Sequence, residues 1–313
     1  MTATQRPAVQ TPIAPIPTRS GRRGALIAGS VLAGIALSLL WSYQFVDQTI
    51  GDNVANTLLG HDAKATAIGG TAAGLLFAFV SGLAGTFTAC NIAMAASIGP
   101  MTHAGAGGTP AEGLRFMLRP VGLLALGMVA VSATYGFVGV LLGDSLPQLS
   151  TATTAGGMPV RLVQSVVVFG LIGLAFIYLG LAALDKVPDP FARRPFARVF
   201  VLGMLVGAFL IGRPYPLFHK LFQWAADNGN PLYGAAAFVL QSLGNIAIVG
   251  ILFALVVLAT RGGLIRWLSA RPARTLAVTG SLLLALGVFT LVYWTVRVPA
   301  MFGYGWFPTM PYN

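Results

Sequence analysis

Arg23 is followed by an uncharged run from Gly24 to Val46, and comparable apolar runs recur near residues 66–98, 117–143, 161–184, 199–222, 232–260 and 275–297. A helix of about 20 apolar residues crosses a hydrocarbon core of about 30 Å. No water-soluble fold hides so much apolar surface: 56% of the 313 residues are hydrophobic and only 9% are charged, against about 25% charged in soluble domains. The sequence therefore predicts an all-α, polytopic membrane protein of about seven transmembrane helices, with membrane lipid as its surroundings.

The net charge of +11 fits this reading better than a nucleic-acid partner, because the basic residues gather between the runs. Fourteen of the 19 positive residues fall on one side if the N-terminus is cytoplasmic. The positive-inside rule then places the C-terminus outside, as expected of a multi-pass protein of the bacterial inner membrane. Nucleic acid is not expected as a partner.

Residues 1–20 carry Pro7, Pro12, Pro15 and Pro17 without apolar periodicity, and read as a disordered cytoplasmic tail. Residues 21–65 hold the first helix and an outer loop; the run is too long for a signal-peptide core. Residues 66–184 form a first group of three helices, 185–198 a basic cytoplasmic loop, 199–297 a second group of three, and 298–313 an extracytoplasmic tail. The two groups enter the membrane from opposite sides. Gly85-Thr-Phe87 and Gly207-Ala-Phe209 precede a polar break in their leading helices. One N-terminal helix plus an inverted 3+3 repeat core is the expected architecture, with a site between the two leading helices. Gly70 with Gly74, Gly139 with Gly143, and Gly203 with Gly207 are expected to permit close helix packing.

Three polar constellations are candidate sites. In the first, Thr86, Cys90 and Met94 share a helix face, with Asn91 close by. A thiol there suits a mixed disulfide, and Cys with Met suits a soft ion such as Cu(I), although a lone cysteine also packs as a small hydrophobe. The second is Gly212-Arg213-Pro214-Tyr215-Pro216, followed by His219 and Lys220. Its two prolines remove backbone donors and break the helix, and Arg213 brings a charge that is costly against lipid. An early helix end with Arg213 and Lys220 snorkelling to the surface is the structural alternative. The third is Gln241 and Asn245 on one helix face, which either bond between helices or line a substrate or partner path. His61, His103 and His219 are isolated from one another, so no metal centre is assigned, and no cofactor fingerprint is present.

With Cys90 on the first helix of a 3+3 core and a Gly-x-Pro-x-Pro break on the fourth, residues 66–297 resemble the CcdA/DsbD transmembrane family. The resemblance implies electron transfer across the inner membrane between a thioredoxin-like protein and outer thiol acceptors, including those of cytochrome c biogenesis. The family places a proline-adjacent cysteine on each leading core helix. Here Ala89 precedes Cys90 where proline is expected, and Tyr215 stands where the second cysteine belongs; alignment by the Gly-x-Phe pattern puts Gly212 opposite Cys90 instead. With one thiol, the cycle needs a thioredoxin-like or other thiol protein to supply the second. The leading expectation is a divergent thiol-redox membrane protein with Cys90 as its redox residue. A small-solute or metal-ion transporter on the same scaffold, and a non-catalytic membrane scaffold, are the alternatives.

Overall fold

The computed structural model describes residues 20–85, 110–213, 215–259, 267, 270–308 and 310. Residues 1–19 of the expected tail and the segment 86–109, with Thr86, Cys90, Asn91 and Met94, lie outside the described residues, as does Pro214, whereas Ser20, the last residue expected in that tail, is helical.

Prolines set where the helices start. Pro195, Pro216, Pro231 and Pro272 each open a helix, a position where the missing N–H is not needed and the fixed φ is already helical. The described helices are α1 (Ser20–Leu40), α2 (Asp52–Leu59), α3 (Gly70–Ala84), α4 (Pro110–Leu142), α5 (Val160–Ala183), α6 (Pro195–Gly212), α7 (Pro216–Asn228), α8 (Pro231–Ala259), α9 (Pro272–Val292) and α10 (Val298–Met301). Two π-helical segments interrupt this pattern: π1 (Gln44–Gly51) follows α1 and π2 (Tyr293–Arg297) extends α9. Gly60 and Gly229 close α2 and α7 in the left-handed conformation that glycine adopts without strain.

Among the described residues, four helices are long and apolar enough to cross a membrane: Arg23–Leu40, Val121–Ser145, Val160–Ala183 and Ala273–Met301. The pair α6 and α7 passes the same test as one broken unit, which raises the count to five rather than the expected seven. The expected run 232–260 is helical as α8 but is not among these five, and two other expected spans differ for visible reasons. The run 66–98 is helical over Gly70–Ala84 and then leaves the described region. The run 199–222 is not one helix but two, bent by 84° at the prolines.

Helix α5 shows how one sequence serves two environments. Phe169, Ile172, Phe176 and Leu179 are buried, while Val167, Leu171, Leu174 and Tyr178 are exposed on the opposite face. An apolar stripe that broad is a liability in water and an ordinary lipid-facing surface in a bilayer.

The main packing is pairwise: α5 on α9, α4 on α6, α4 on α8, α3 on α8, and α1 on α9. Glycines set the closest approaches. Gly173 lies against Gly287 and Gly180 against Gly280, so two seven-residue glycine repeats join α5 to α9. Gly203 and Gly207 meet the α4 backbone at Leu124 and Met128, as the sequence suggested for that pair. Gly74 packs on Trp224 and Gly139 on Phe222. Gly70 and Gly143, by contrast, face open space with positive φ and turn the chain at helix ends.

Two buried clusters result. One is built on α4, α5, α6 and α9 around Phe169, Phe176, Phe209 and Phe289. The other gathers α2, α3, α7 and α8 around Phe77, Tyr215, Phe222 and Phe238. The α6–α7 break lies between them, with Phe209 in the first cluster and Tyr215 in the second.

Candidate functional site

The break between α6 and α7 follows from local sterics. A residue before proline is pushed out of the helical region, and Arg213 and Tyr215 adopt extended backbones at φ −84°, ψ 114° and φ −79°, ψ 129°. In a continuous helix the Gly212 carbonyl would accept from residue 216, but Pro216 has no N–H.

Side chains from neighbouring segments take over the freed carbonyls. Ser165 Oγ donates to the Gly212 carbonyl at 2.5 Å, Gln164 Nε2 to that of Ile211 at 2.9 Å, and Gln148 Nε2 to that of Arg213 at 3.4 Å. Protein groups thus satisfy the break, the condition under which irregular backbone is stable away from water. Ser165→Ala is expected to cost about 1–3 kcal/mol, because it strands a buried acceptor. Ser132 bonds only within its own helix, to Met128 and Val129. Thermal unfolding in detergent should therefore show a clearly larger loss for Ser165→Ala than for Ser132→Ala.

Arg213 does not snorkel. It is 6% exposed, and its guanidinium donates to the Gly85 carbonyl at 3.2 Å and to Asp47 Oδ1 at 2.5 Å. Gly85 is the C-cap of α3, so the cation sits at the negative end of that helix dipole. The rings of Tyr215 and Phe218 lie 4.8 and 5.2 Å from the guanidinium carbon, within cation–π range. A second buried arginine, Arg297, caps a second helix end in the same manner: it donates to the Ser38 and Leu39 carbonyls at the end of α1. The Arg297 guanidinium carbon lies 5.3 Å from the Tyr293 ring, within cation–π range. Two irregular segments, π1 and the α6–α7 break, therefore meet at one ion pair, Arg213–Asp47.

The Tyr215 hydroxyl is buried and has no hydrogen-bond partner among the described residues. It lies against Gly51, where an added Cβ would come within 2.6 Å of it. Three residues before Gly85 on α3, Gly82 packs on the Gln241 backbone. Gln241 is fully buried, and among the described residues neither of its side-chain polar atoms nor Asn245 Oδ1 has a hydrogen-bond partner. The end of α3 is thus touched by the second and third candidate constellations, which the structure brings to one place. The candidate residues Thr86, Cys90, Asn91, Met94 and Pro214 lie outside the described residues.

Lys220 fixes α7 to the α2–α3 loop by donating to the carbonyls of Ala63, Lys64 and Thr66 at 2.8, 2.9 and 2.5 Å. That loop is shaped by Asp62, whose carboxylate accepts the N–H groups of Ala65 and Lys64. These bonds, from Ala65 first and Lys64 second, hold the Asp62 carboxyl below its ordinary value of 3.8. A depressed carboxyl contributes order that is present above the ordinary value and lost as pH falls through the depressed one. The amide shift of Ala65 should accordingly titrate with a midpoint below 3.8; a midpoint at or above it would contradict the assignment.

Sequence reasoning overlooked Asp47, Gln148, Gln164, Ser165 and Gly51. The pair Gln164 and Ser165 did carry a signal, being the only polar residues besides Tyr178 between Leu162 and Leu184. Among the described residues, no group of three or more His, Cys, Asp or Glu side chains is placed to hold a metal ion. No family model, no curated protein and no solved structure matches this chain.

Proposed function

We propose that the chain is a divergent, CcdA/DsbD-like protein of the bacterial inner membrane that takes part in thiol redox transfer or cytochrome c biogenesis, with Cys90 as its redox residue. The observation that carries this reading is the contact between the two leading helices: Arg213, at the break after α6, bonds to Gly85 at the end of α3. Cys90 follows Gly85 by five residues. The pairing of helices supports an inverted repeat, since α3 on α8 is mirrored by α6 on α4, while α4 with α8 and α5 with α9 pair across the halves. Seven spans with a cytoplasmic N-terminus follow if 66–98, the α6–α7 pair and α8 each cross the bilayer.

One thiol suffices if partners supply the others. The Cys90 thiolate attacks a disulfide of the acceptor, forms a mixed disulfide and releases one acceptor thiolate. A thiolate of the donor dithiol then attacks the Cys90 sulfur, which frees the second acceptor thiolate. The donor's remaining thiolate closes the donor disulfide and restores the Cys90 thiolate, so two electrons have moved from donor to acceptor.

The test is labelling of Cys90 in intact cells by a membrane-permeant maleimide, with and without prior oxidation. The proposal expects labelling that oxidation blocks and a thiol reductant restores. Equal labelling in both states, or none in either, would exclude exchange.

A second reading, transport of a small anion, is favoured by one observation. Arg213 is a buried cation at an interrupted helix, the placement at which transporters bind charged substrates. Uptake that depends on Arg213 but not on Cys90 would select it.

A further inference from the structure

We infer that Arg213 is the binding group for a small oxygen-bearing monoanion, and that π1 is a lid whose Asp47 carboxylate occupies the anion's place. The inference deepens the transport reading and rests on it for purpose, but the binding site itself needs neither transport nor Cys90.

The receiving half of the site is rigid. Gln148, Gln164 and Ser165 hold the backbone on either side of Arg213, and the Gly85 carbonyl and the rings of Tyr215 and Phe218 hold its guanidinium. A guanidinium fixed in this way recognises carboxylates and other planar oxyanions by paired N–H donors.

The covering half is held loosely. Of the eight residues of π1, only Gly51 is buried. The segment borders an open groove of about 570 Å³ lined by Leu37, Trp41, Gln44, Phe45 and Thr49, so packing does not secure that side. Among the described residues, its one ion pair to the body is the bond from Arg213 to Asp47, whose side chain is 28% exposed against 7% for Arg213. The carboxylate therefore reaches the guanidinium from the open side, by a single oxygen.

The buried Tyr215 hydroxyl supplies the second observation. Its ring lies 4.8 Å from the guanidinium carbon, and the hydroxyl packs against Gly51 of the lid and has no hydrogen-bond partner among the described residues. An unmade bond at a buried hydroxyl is costly in a purely structural contact. An anion with two oxygens in place of Asp47 would accept from Arg213 and from Tyr215 together once Gly51 moves aside with π1. The ligand chemistry is thus a small carboxylate or similar monoanion, entering where π1 lies, on the side that the charge distribution places outside the cell.

The test uses the full-length protein in nanodiscs of zwitterionic lipid, phenylglyoxal as arginine reagent, and peptide mass mapping with the exposed Arg193, remote from the site, as internal reference. Asp47→Asn should raise modification at Arg213 by about tenfold, which corresponds to about 1.4 kcal/mol of lid closure. Acetate should suppress that modification, and gluconate at equal ionic strength should not. Asp47→Glu, which keeps the carboxylate, should stay near wild type. In the wild-type protein, acetate should also increase hydrogen exchange across Gln44–Gly51, a readout that does not depend on any variant folding. Arg213 unmodified in a folded Asp47→Asn protein, modification that acetate does not suppress, or lid exchange unmoved by acetate would each overturn the inference. Blocking Cys90 should leave every one of these readouts unchanged, so failure of the redox proposal and failure of this one are separable.

Discussion

Arg213→Met is expected to lower folding stability by about 2–4 kcal/mol, the range in which losing one member of a buried ion pair falls when the other is only partly shielded. Three interactions disappear together. The Gly85 carbonyl at the end of α3 loses the Arg213 bond, Asp47 loses this counter-charge, and the rings of Tyr215 and Phe218 lose their cation contact. Arg213→Lys keeps a charge but not two separate N–H arms, so it should recover only part of the loss. Unfolding by SDS titration in mixed micelles, followed by tryptophan fluorescence, measures the difference. A change below about 0.5 kcal/mol, usual for surface positions, would mean that Arg213 is not an anchor.

Gly82→Val is expected to cost about 3 kcal/mol, the upper part of the range for overpacking. A Cβ at Gly82 would lie 2.0 Å from the Gln241 carbonyl oxygen, and one at Gly244 would lie 2.3 Å from that of Phe79. Both obstacles are backbone atoms, so no side-chain rotation relieves them and α3 must move away from α8. That shift separates the end of α3 from Arg213, so the variant should also weaken the Arg213–Gly85 contact. Gly29 has nothing within 4 Å of an added Cβ. Gly29→Ala in the same assay should leave stability unchanged or raise it by about 0.5–1 kcal/mol through the lower chain entropy of alanine.

The helices were legible because lipid imposes a simple rule, long uncharged runs, and the sequence obeys it. The break at Arg213 was legible for a similar reason: prolines at 214 and 216 cannot continue a helix wherever it lies. Its partners were not. Asp47 lies 166 residues from Arg213 and looks like the first acid of an ordinary outer loop. Nothing local to it announces an ion pair. Gln164 and Ser165 follow the same logic that singled out Gln241 and Asn245, polar residues in an apolar helix, but their role emerges only when the Gly212 carbonyl is known to lack a donor.

Glycine spacing was a partial guide. Gly203 and Gly207 do face another helix, whereas Gly70 and Gly143 turn the chain at positive φ, and four-residue spacing alone does not separate the two uses. The seven-residue glycine repeats of α5 and α9 carried more information, because they pair in antiparallel register, Gly173 with Gly287 and Gly180 with Gly280.

The account depends on π1 and the α6–α7 break meeting through one ion pair, and a double-mutant cycle tests that most directly. Asp47→Asn, Arg213→Gln and the double variant would be unfolded under identical conditions in nanodiscs. The account predicts a coupling energy of about 1.5 kcal/mol or more, with the double variant more stable than the sum of the single losses implies. Effects that add to within about 0.5 kcal/mol would show that the two side chains do not interact, and the charged site described for this protein would not exist.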